Sequence, residues 1–578
     1  MRTFDQYARF GDALDNPEAG ALLQRTIPEI LNSSLATALR DFPLGGFLRF
    51  ALAPDTEKVN SLLEQLAVIE DRTPLPEETP AIHPRADYET ADTPQASAVV
   101  TLPTTAFVNK AAEIIIDGPS HRNPFVDVEF SAQFTSADES LTVGGFYDGD
   151  GSYVLRFLPP VAGTWAFTTM SNARSLDGIS ATLAVAPSDA PGPVRVGDQY
   201  GFAYRDGTPF TPIGTTAYAW THQPEALQNR TVETLADAPF NKLRMGLFPK
   251  HFMYNSNEPA DFVFPKNPDG SWDTERFDVA HFAKLEARIR QLDELGIQAD
   301  IILFHPYDRW GFATLGKSVD DRYIRYVVRR LSAFPNVWWS MANEYELLVH
   351  KRPEDWDRLA ELVRTEDHAD HLLSIHNWSD LFDYSAPWAT HASIQRGDAE
   401  MGKRIDEWRY TWGKPVIVDE FGYDGDLDAG WGNLTSEEVV DRFWSGMVRG
   451  GYLTHGETFY RDAEEIWWSK GGTLIGDSVA RISFLRRIVE ESPTGRIEPL
   501  PSDWDAAWGG VKDQYALIYF GRHRPRFRDV TIPEGMKARI EVIDAWNMTI
   551  DTLDGIHEGT VRVDLPARPL TAIRLRSA

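Results

Sequence analysis

The sequence predicts a multidomain α/β protein: a central (β/α)8 TIM barrel flanked by two β-sandwich domains, with a helical segment at the N-terminus. Three observations predict it. At 578 residues the chain exceeds what one hydrophobic core supports and calls for about three or four domains. Between 196 and 493, short apolar runs alternate with amphipathic stretches of helical period, the pattern of parallel βα units. On either side the hydrophobic period switches to two, as in half-buried strands.

Residues 1–95 read as helices and a linker. Ala21-Leu22-Leu23, Ile27, Ile30-Leu31, Leu35 and Leu39 recur at spacings of three and four, and so do Val59, Leu62-Leu63, Leu66 and Ile69. The stretch from Pro74 to Pro94 is rich in Pro, Glu and Thr, which suits an exposed connection. No chemistry-bearing motif occurs here, so packing or homo-oligomerisation is expected of these helices.

In residues 96–195, Val126, Val128, Phe130, Ala132 and Phe134 alternate with polar residues, as do Tyr153, Leu155 and Phe157, then Trp165, Phe167 and Thr169. Short strands at this spacing predict an immunoglobulin-like sandwich. Asp148-Gly149-Asp150-Gly151 lies between the first two runs. It reads as a hairpin turn, because the further ligands and closing Glu of a calcium loop are missing.

The barrel region, 196–493, offers eight strand candidates: 212–217, 241–247, 299–304, 337–342, 372–376, 389–394, 415–419 and 452–458. A helix around 277–295 puts Phe282, Leu285, Ile289, Leu292 and Leu295 on one stripe and stops at Gly296. A second carries Ile324, Val327, Val328 and Leu331. A third opens on a Thr435/Glu438 capping box. Eight βα repeats fit a closed barrel better than an open sheet, and no Gly-x-Gly-x-x-Gly follows the first strand. Residues 494–578 return to period two at 515–520, 538–543, 561–565 and 572–575, which predicts a C-terminal sandwich.

Composition narrows the function classes. The formal net charge of −29 disfavours a nucleic-acid partner, whose phosphates need clustered Lys and Arg. With no Cys, disulfides, thiolate nucleophiles and Cys-based zinc sites are impossible. No apolar run approaches the roughly 20 residues of a membrane span. The opening Met1-Arg2-Thr3-Phe4 has no basic-then-apolar leader pattern, and a cytoplasmic protein without membrane contacts is expected.

In a barrel, chemistry collects where the strands end, at the C-terminal face. The fourth strand ends in Asn343-Glu344-Tyr345-Glu346 and the seventh in Asp419-Glu420. Two facing carboxyl groups are what glycoside hydrolysis requires, one kept protonated and the other ionised. Glu346 is a competing acid, although it lies past the strand end. Asp419 should turn into the barrel wall, and Glu457, ending the eighth strand, is a candidate pocket carboxylate. His222, His305, His376 and His391 also fall at predicted strand ends. With Asp308 they leave a metal-dependent hydrolase open as an alternative, against which stands the absence of compact ligand spacing. Tyr307, Trp310, Trp378, Tyr460, Trp467 and Trp468 sit in or near rim loops, where two or three should stack on a ligand. His376-Asn377-Trp378 is the best polar–aromatic cluster.

Asn343-Glu344 together with Glu420 resembles the pattern of clan A glycoside hydrolases. Gly144 to Gly151 and Gly163-Thr164-Trp165 resemble the immunoglobulin-like module that precedes apiosidase-like barrels, and Gly214 to Trp220 resembles the opening strand of those barrels. The resemblance covers most of 100–578. It implies a retaining glycosidase with Glu344 as acid/base and Glu420 as nucleophile; exo action on oligosaccharides is expected from the missing leader pattern, and catalysis without a metal from the lack of a convincing ligand set, with no cofactor expected. It implies that Asn343 binds the substrate 2-hydroxyl and Arg244 sits beside the nucleophile. His222, His305, His376, His391, Asn377, Trp378, Trp220 and Glu457 are the further expected contacts. A non-catalytic carbohydrate-binding protein is the third reading, and the presence of both strand-end carboxylates argues against it.

Overall fold

The structure is a computed structural model that describes residues 2–33, 36–37, 39–74, 79–137 and 139–578. The predicted contribution of Leu35 lies outside these residues.

At the centre, eight strands form one parallel sheet: β1 (Ile213–Thr216), β2 (Lys242–Gly246), β3 (Gln298–Phe304), β4 (Val337–Ala342), β5 (Leu373–Ser374), β6 (Ala392–Gln395), β7 (Val416–Glu420) and β8 (Tyr452–His455). The spatial order is β5-β4-β3-β2-β1-β8-β7-β6, and a parallel bridge between His376 and Ser393 closes the ring. These strands are buried along almost their whole length, as expected of a parallel sheet covered by helices. The helices are α1 (Glu225–Asp237), α2 (Val279–Glu294), α3 (Lys317–Leu331), α4 (Pro353–Glu366), α5 (Ile405–Trp412), α6 (Ser436–Val448) and α7 (Ser478–Glu490). They follow every strand but β5, so the expectation of eight complete βα repeats is corrected. Residues 375–391 between β5 and β6 hold no helix.

The stripe expected on α2 is buried apart from Leu295, which lies beyond the helix and is exposed. Gly296 follows with φ +71°, a conformation that ends the helix readily without a Cβ. The Thr435 hydroxyl accepts from Glu438 N at 3.2 Å, while the Glu438 carboxylate turns to Arg442 Nε (2.8 Å), so only half of the capping box forms. The bottom of the barrel is plugged. A three-stranded sheet (Val194–Val196, Phe202–Tyr204, Pro209–Phe210) presses Phe202 and Phe210 against Trp338, Ile417 and Tyr452.

Before the barrel, a four-stranded and a five-stranded sheet enclose a shared core of Ile114, Ile116, Phe134, Leu155, Phe157, Trp165 and Phe167. The alternation around Val126 is only partly a strand. Pro124–Asp127 makes a helical turn with Pro at its first position, and the strand starts at Phe130. The segment 148–151 is a hairpin turn, with Asp148 N donating to Ser152 O and Ser152 N to Gly149 O. After the barrel, a six-stranded sheet and a two-stranded ribbon pack around Ile518, Val530, Ile540 and Val563. The N-terminal helices, Pro17–Thr26, Leu44–Leu52 and Thr56–Leu66 among them, have a core of their own in which Phe10 stacks on Phe47 at 3.6 Å. No described helix is long and apolar enough to cross a membrane.

Candidate active site

A cavity of about 390 Å3 opens at the C-terminal ends of the barrel strands, and both Glu344 and Glu420 line it. Each glutamate directly follows or ends an apolar strand that carries it from the core to the rim. At the end of β7 the register against β6 shifts between Ile394 and Gln395, so that Gln395 faces Glu420. Such an irregularity twists a strand end. Here it accompanies a division of labour between neighbours: Asp419 stays in the polar centre of the barrel and Glu420 reaches the cavity.

That polar centre has a definite wiring. Lys242 Nζ lies 2.6 Å from Asp300 Oδ2 and 2.7 Å from Asp419 Oδ1, and Asp419 also accepts from Thr454 (2.7 Å) and Ser393 (2.6 Å). Burial works against ionisation of Asp419, but the cations of Lys242 and Arg244 outweigh it and hold the carboxyl below its usual range. Arg244 stands two residues up the same face of β2 and reaches the site. Its Nη2 donates to Asn343 Oδ1 (3.1 Å), and its Nη1 donates to the Tyr218 hydroxyl (3.1 Å) and lies 3.4 Å from Glu420 Oε1. The Tyr218 hydroxyl donates to Glu420 in turn. Glu420 is thus fixed by a cation and a phenol.

Glu344 is held differently. Its backbone is left-handed, φ +51° and ψ 56°, which costs a non-glycine residue about 1–2 kcal/mol. The Tyr307 hydroxyl donates to its Oε2. Burial, then the charge of Glu420, pushes the Glu344 carboxyl up to about 8. Lys250 lies between the two glutamates' tyrosines, its ammonium 3.9 Å from the Tyr218 ring centre, 4.3 Å from Tyr307 and 4.4 Å from Trp468. Burial lowers Lys250 to about 8.

Of the other expected contacts, Asn343 and Trp378 line the cavity, and His305 lines a small recess beneath it with Tyr218, Lys250 and Tyr307. His305 is oriented by Phe248 O (3.1 Å), and burial lowers it to about 4. His376 is fully buried behind Glu420, 3.9 Å from its Oε1. The remaining expected contacts do not line this cavity. His391 precedes β6 and packs on Phe202 and Trp338 at the opposite end of the barrel, because β6 begins at Ala392 rather than ending near it. Trp220 and His222 form a buried helical turn after β1, with His222 bonded to Leu247 O (3.2 Å) rather than facing the cavity. Asn377 ties β5 to β6, accepting from Gln395 N (2.9 Å) and donating to Gln395 O (3.2 Å). Glu457 accepts from Ile475 N and Gly476 N, both at 2.8 Å, and so pins the loop after β8. Glu346 likewise receives the N–H groups of Trp378, Ser379 and Asp380 at 2.6–2.9 Å, which turns it away from acid duty.

Among the rim aromatics, Tyr307, Trp378 and Trp468 line the cavity, while Trp467 is buried on Thr215 and Trp310 donates to Glu258. Sequence reasoning missed Lys250, Gln395, Tyr423 and Phe42 as lining residues, and noticed Tyr218 only as part of a motif. The polar residues Lys242, Arg244 and Asp300, alternating across two adjacent strands, were the available signal for the buried cluster. Among the described residues no three His, Asp or Glu side chains converge as metal ligands would. A larger cavity, about 570 Å3, lies between 79–84, the first sandwich and α3, and neither glutamate lines it.

A parallel (β/α) barrel with two glutamates from β4 and β7 in one cavity defines a glycoside hydrolase. The sequence matches the family described as "Apiosidase-like, catalytic domain" over residues 197–473, and two domains of unknown function, DUF5060 over 110–172 and DUF5605 over 504–576. The chain is 36% identical to a candidate glycoside hydrolase from Bacteroides vulgatus ATCC 8482, over 82% of this chain and 100% of that one, with a TM-score of 0.77. A glycoside hydrolase family 5 structure from the same organism shares the fold at 16% identity, covering 67% of this chain and 94% of that one, TM-score 0.52. No curated protein matches. The chain belongs to the glycoside hydrolases, and its barrel matches the apiosidase-like catalytic domain.

Proposed function

We propose that the enzyme is a retaining, exo-acting glycosidase of oligosaccharides, with Glu344 as acid/base and Glu420 as nucleophile. The observation that carries this is the contrast between the two carboxyls in one cavity. Glu344 is pushed up to about 8 and can carry a proton at neutral pH. Glu420 is gripped by Tyr218 and Arg244, which aim it. In the first step a Glu420 oxygen attacks the anomeric carbon, the bond to the leaving oxygen breaks, and Glu344 gives that oxygen its proton. In the second, Glu344 takes a proton from water as the water attacks the same carbon, and Glu420 leaves as carboxylate. Asn343, oriented by Arg244, is placed to bond a hydroxyl of the bound sugar. A cavity walled by loops and by an N-terminal residue, Phe42, favours a chain end over the interior of a polymer.

The test is NMR of the first-formed anomer with any glycoside that is turned over. Retention is expected; an inverted product removes Glu420 from the nucleophile role.

A further inference from the structure

Among the described residues, those lining the catalytic cavity come from the barrel with one exception, Phe42, which belongs to the N-terminal helical unit. The family matches begin only at residue 110, so this unit is an addition to the matched domains. It has its own core, and it contacts the barrel at the loop after β5 and the start of α4. Phe42 meets Trp378 edge-on with ring centres 5.4 Å apart. Gly46 lies so close to the same ring that a Cβ there would stand 2.7 Å from Trp378 Cζ3. Arg49 pairs with Asp380, and Asp5 with Arg352. The loop being gripped is the one whose three N–H groups Glu346 holds, two residues after Glu344. A continuous chain of contacts therefore runs from the acid/base strand end to the N-terminal unit.

We propose that the N-terminal unit is a specificity element of the active site. It sets Phe42 against Trp378 as a wall of the cavity, so that the substrates are short glycosides that end at this wall. This rests on the glycosidase reading above. A docked rigid aromatic excludes longer ligands by clash, which is how specificity is gained without better contacts to the preferred one. The Asp380–Arg49 pair keeps the wall in place, and the absence of a side chain at Gly46 lets the two surfaces meet.

The experiment compares kcat/KM for an aryl monoglycoside with that for the same terminal sugar extended to a tetrasaccharide, using full-length protein. Phe42→Ala should raise the long-to-short ratio about tenfold, the scale of one pocket contact, and Phe42→Trp should lower it. Arg49→Ala should raise the ratio in the same sense from outside the cavity. The charge swap Arg49→Asp with Asp380→Arg should bring it back towards wild type. A purely structural unit would shift melting temperatures and leave the ratio alone. An unchanged ratio in both Phe42→Ala and Arg49→Ala, with turnover intact in wild type, overturns the proposal. Failure of wild type to hydrolyse any glycoside in a broad panel overturns the glycosidase reading itself.

Discussion

Glu344 and Glu420 differ in what surrounds them, and the difference has kinetic consequences. On the proposed mechanism Glu344 needs its proton for the first step, and burial, with the charge of Glu420, keeps that proton on up to a pH of about 8. A raised acid is functional below its pKa, so activity should hold through neutral pH and fall as pH rises through about 8. In Glu344→Gln that alkaline limb should vanish, because the titrating group is gone. Turnover of a poor leaving group should drop about 10²–10⁴-fold, while an activated phenol, which needs no proton, should still glycosylate the enzyme and give a burst. Glu420→Gln should lose activity on both kinds of substrate. Steady-state and burst kinetics of both variants against pH decide it, and equal losses on an activated substrate would reverse the roles. These two glutamates were legible in the sequence because each follows an apolar strand, a pattern that survives without knowledge of packing. Lys250 and Phe42 were not legible. Lys250 lies in a loop with no period, and Phe42 reaches the cavity from a segment just over three hundred residues before Glu344.

At the scale of elements, two buried carboxylates turn out to hold loops rather than substrate. Glu346 was expected just past the end of the fourth strand and Glu457 at the end of the eighth, but position along the chain carries no information about which backbone N–H groups will converge on a carboxylate. Short-range pattern failed similarly at His391, which stands early in the predicted strand 389–394 and therefore at the bottom of the barrel, not at the top. The anchoring role of Glu346 predicts a mixed phenotype. Glu346→Ala leaves the N–H groups of Trp378, Ser379 and Asp380 without their acceptor, at a cost of about 1–3 kcal/mol for each that stays buried. The Trp378 ring should lose its position, so KM should rise while kcat changes less, since a stacking residue serves ground and transition states alike. An unaltered KM would place Trp378 outside the binding surface.

At the scale of the whole molecule, the question is whether the first sandwich and the barrel behave as one body. Their cores are continuous: Phe146 and Val154 of the sandwich pack with the barrel's apolar residues, and Tyr326 of α3 stacks on Phe277 at 3.9 Å beside Phe125. The outer face of the strand Ser152–Phe157 is buried for this reason, which is why its burial does not alternate. Through this seam runs a buried ion network. Arg156 of the sandwich makes a fork with Glu286 of α2, Nη1 to Oε1 at 3.0 Å and Nη2 to Oε2 at 3.1 Å, and Arg330 of α3 meets the same carboxylate. Desolvating three charges is expensive, and what the network contributes is felt when one member is removed. Glu286→Gln should leave Arg156 with Glu113 and Arg330 with Asp148 as their remaining anionic partners, both on the half-exposed side of a buried seam, and cost up to about 3–5 kcal/mol. The double variant Glu286→Leu with Arg156→Met removes the charge along with its partner, and Arg330 keeps Asp148. It should cost less than Glu286→Gln, because no cation is stranded. Calorimetry distinguishes the cases: wild type should unfold the sandwich and barrel in one transition, Glu286→Gln should melt earlier and separate them, and the double variant should fall between. A Glu286→Gln protein that melts with wild type would mean that the apolar seam alone joins the two domains.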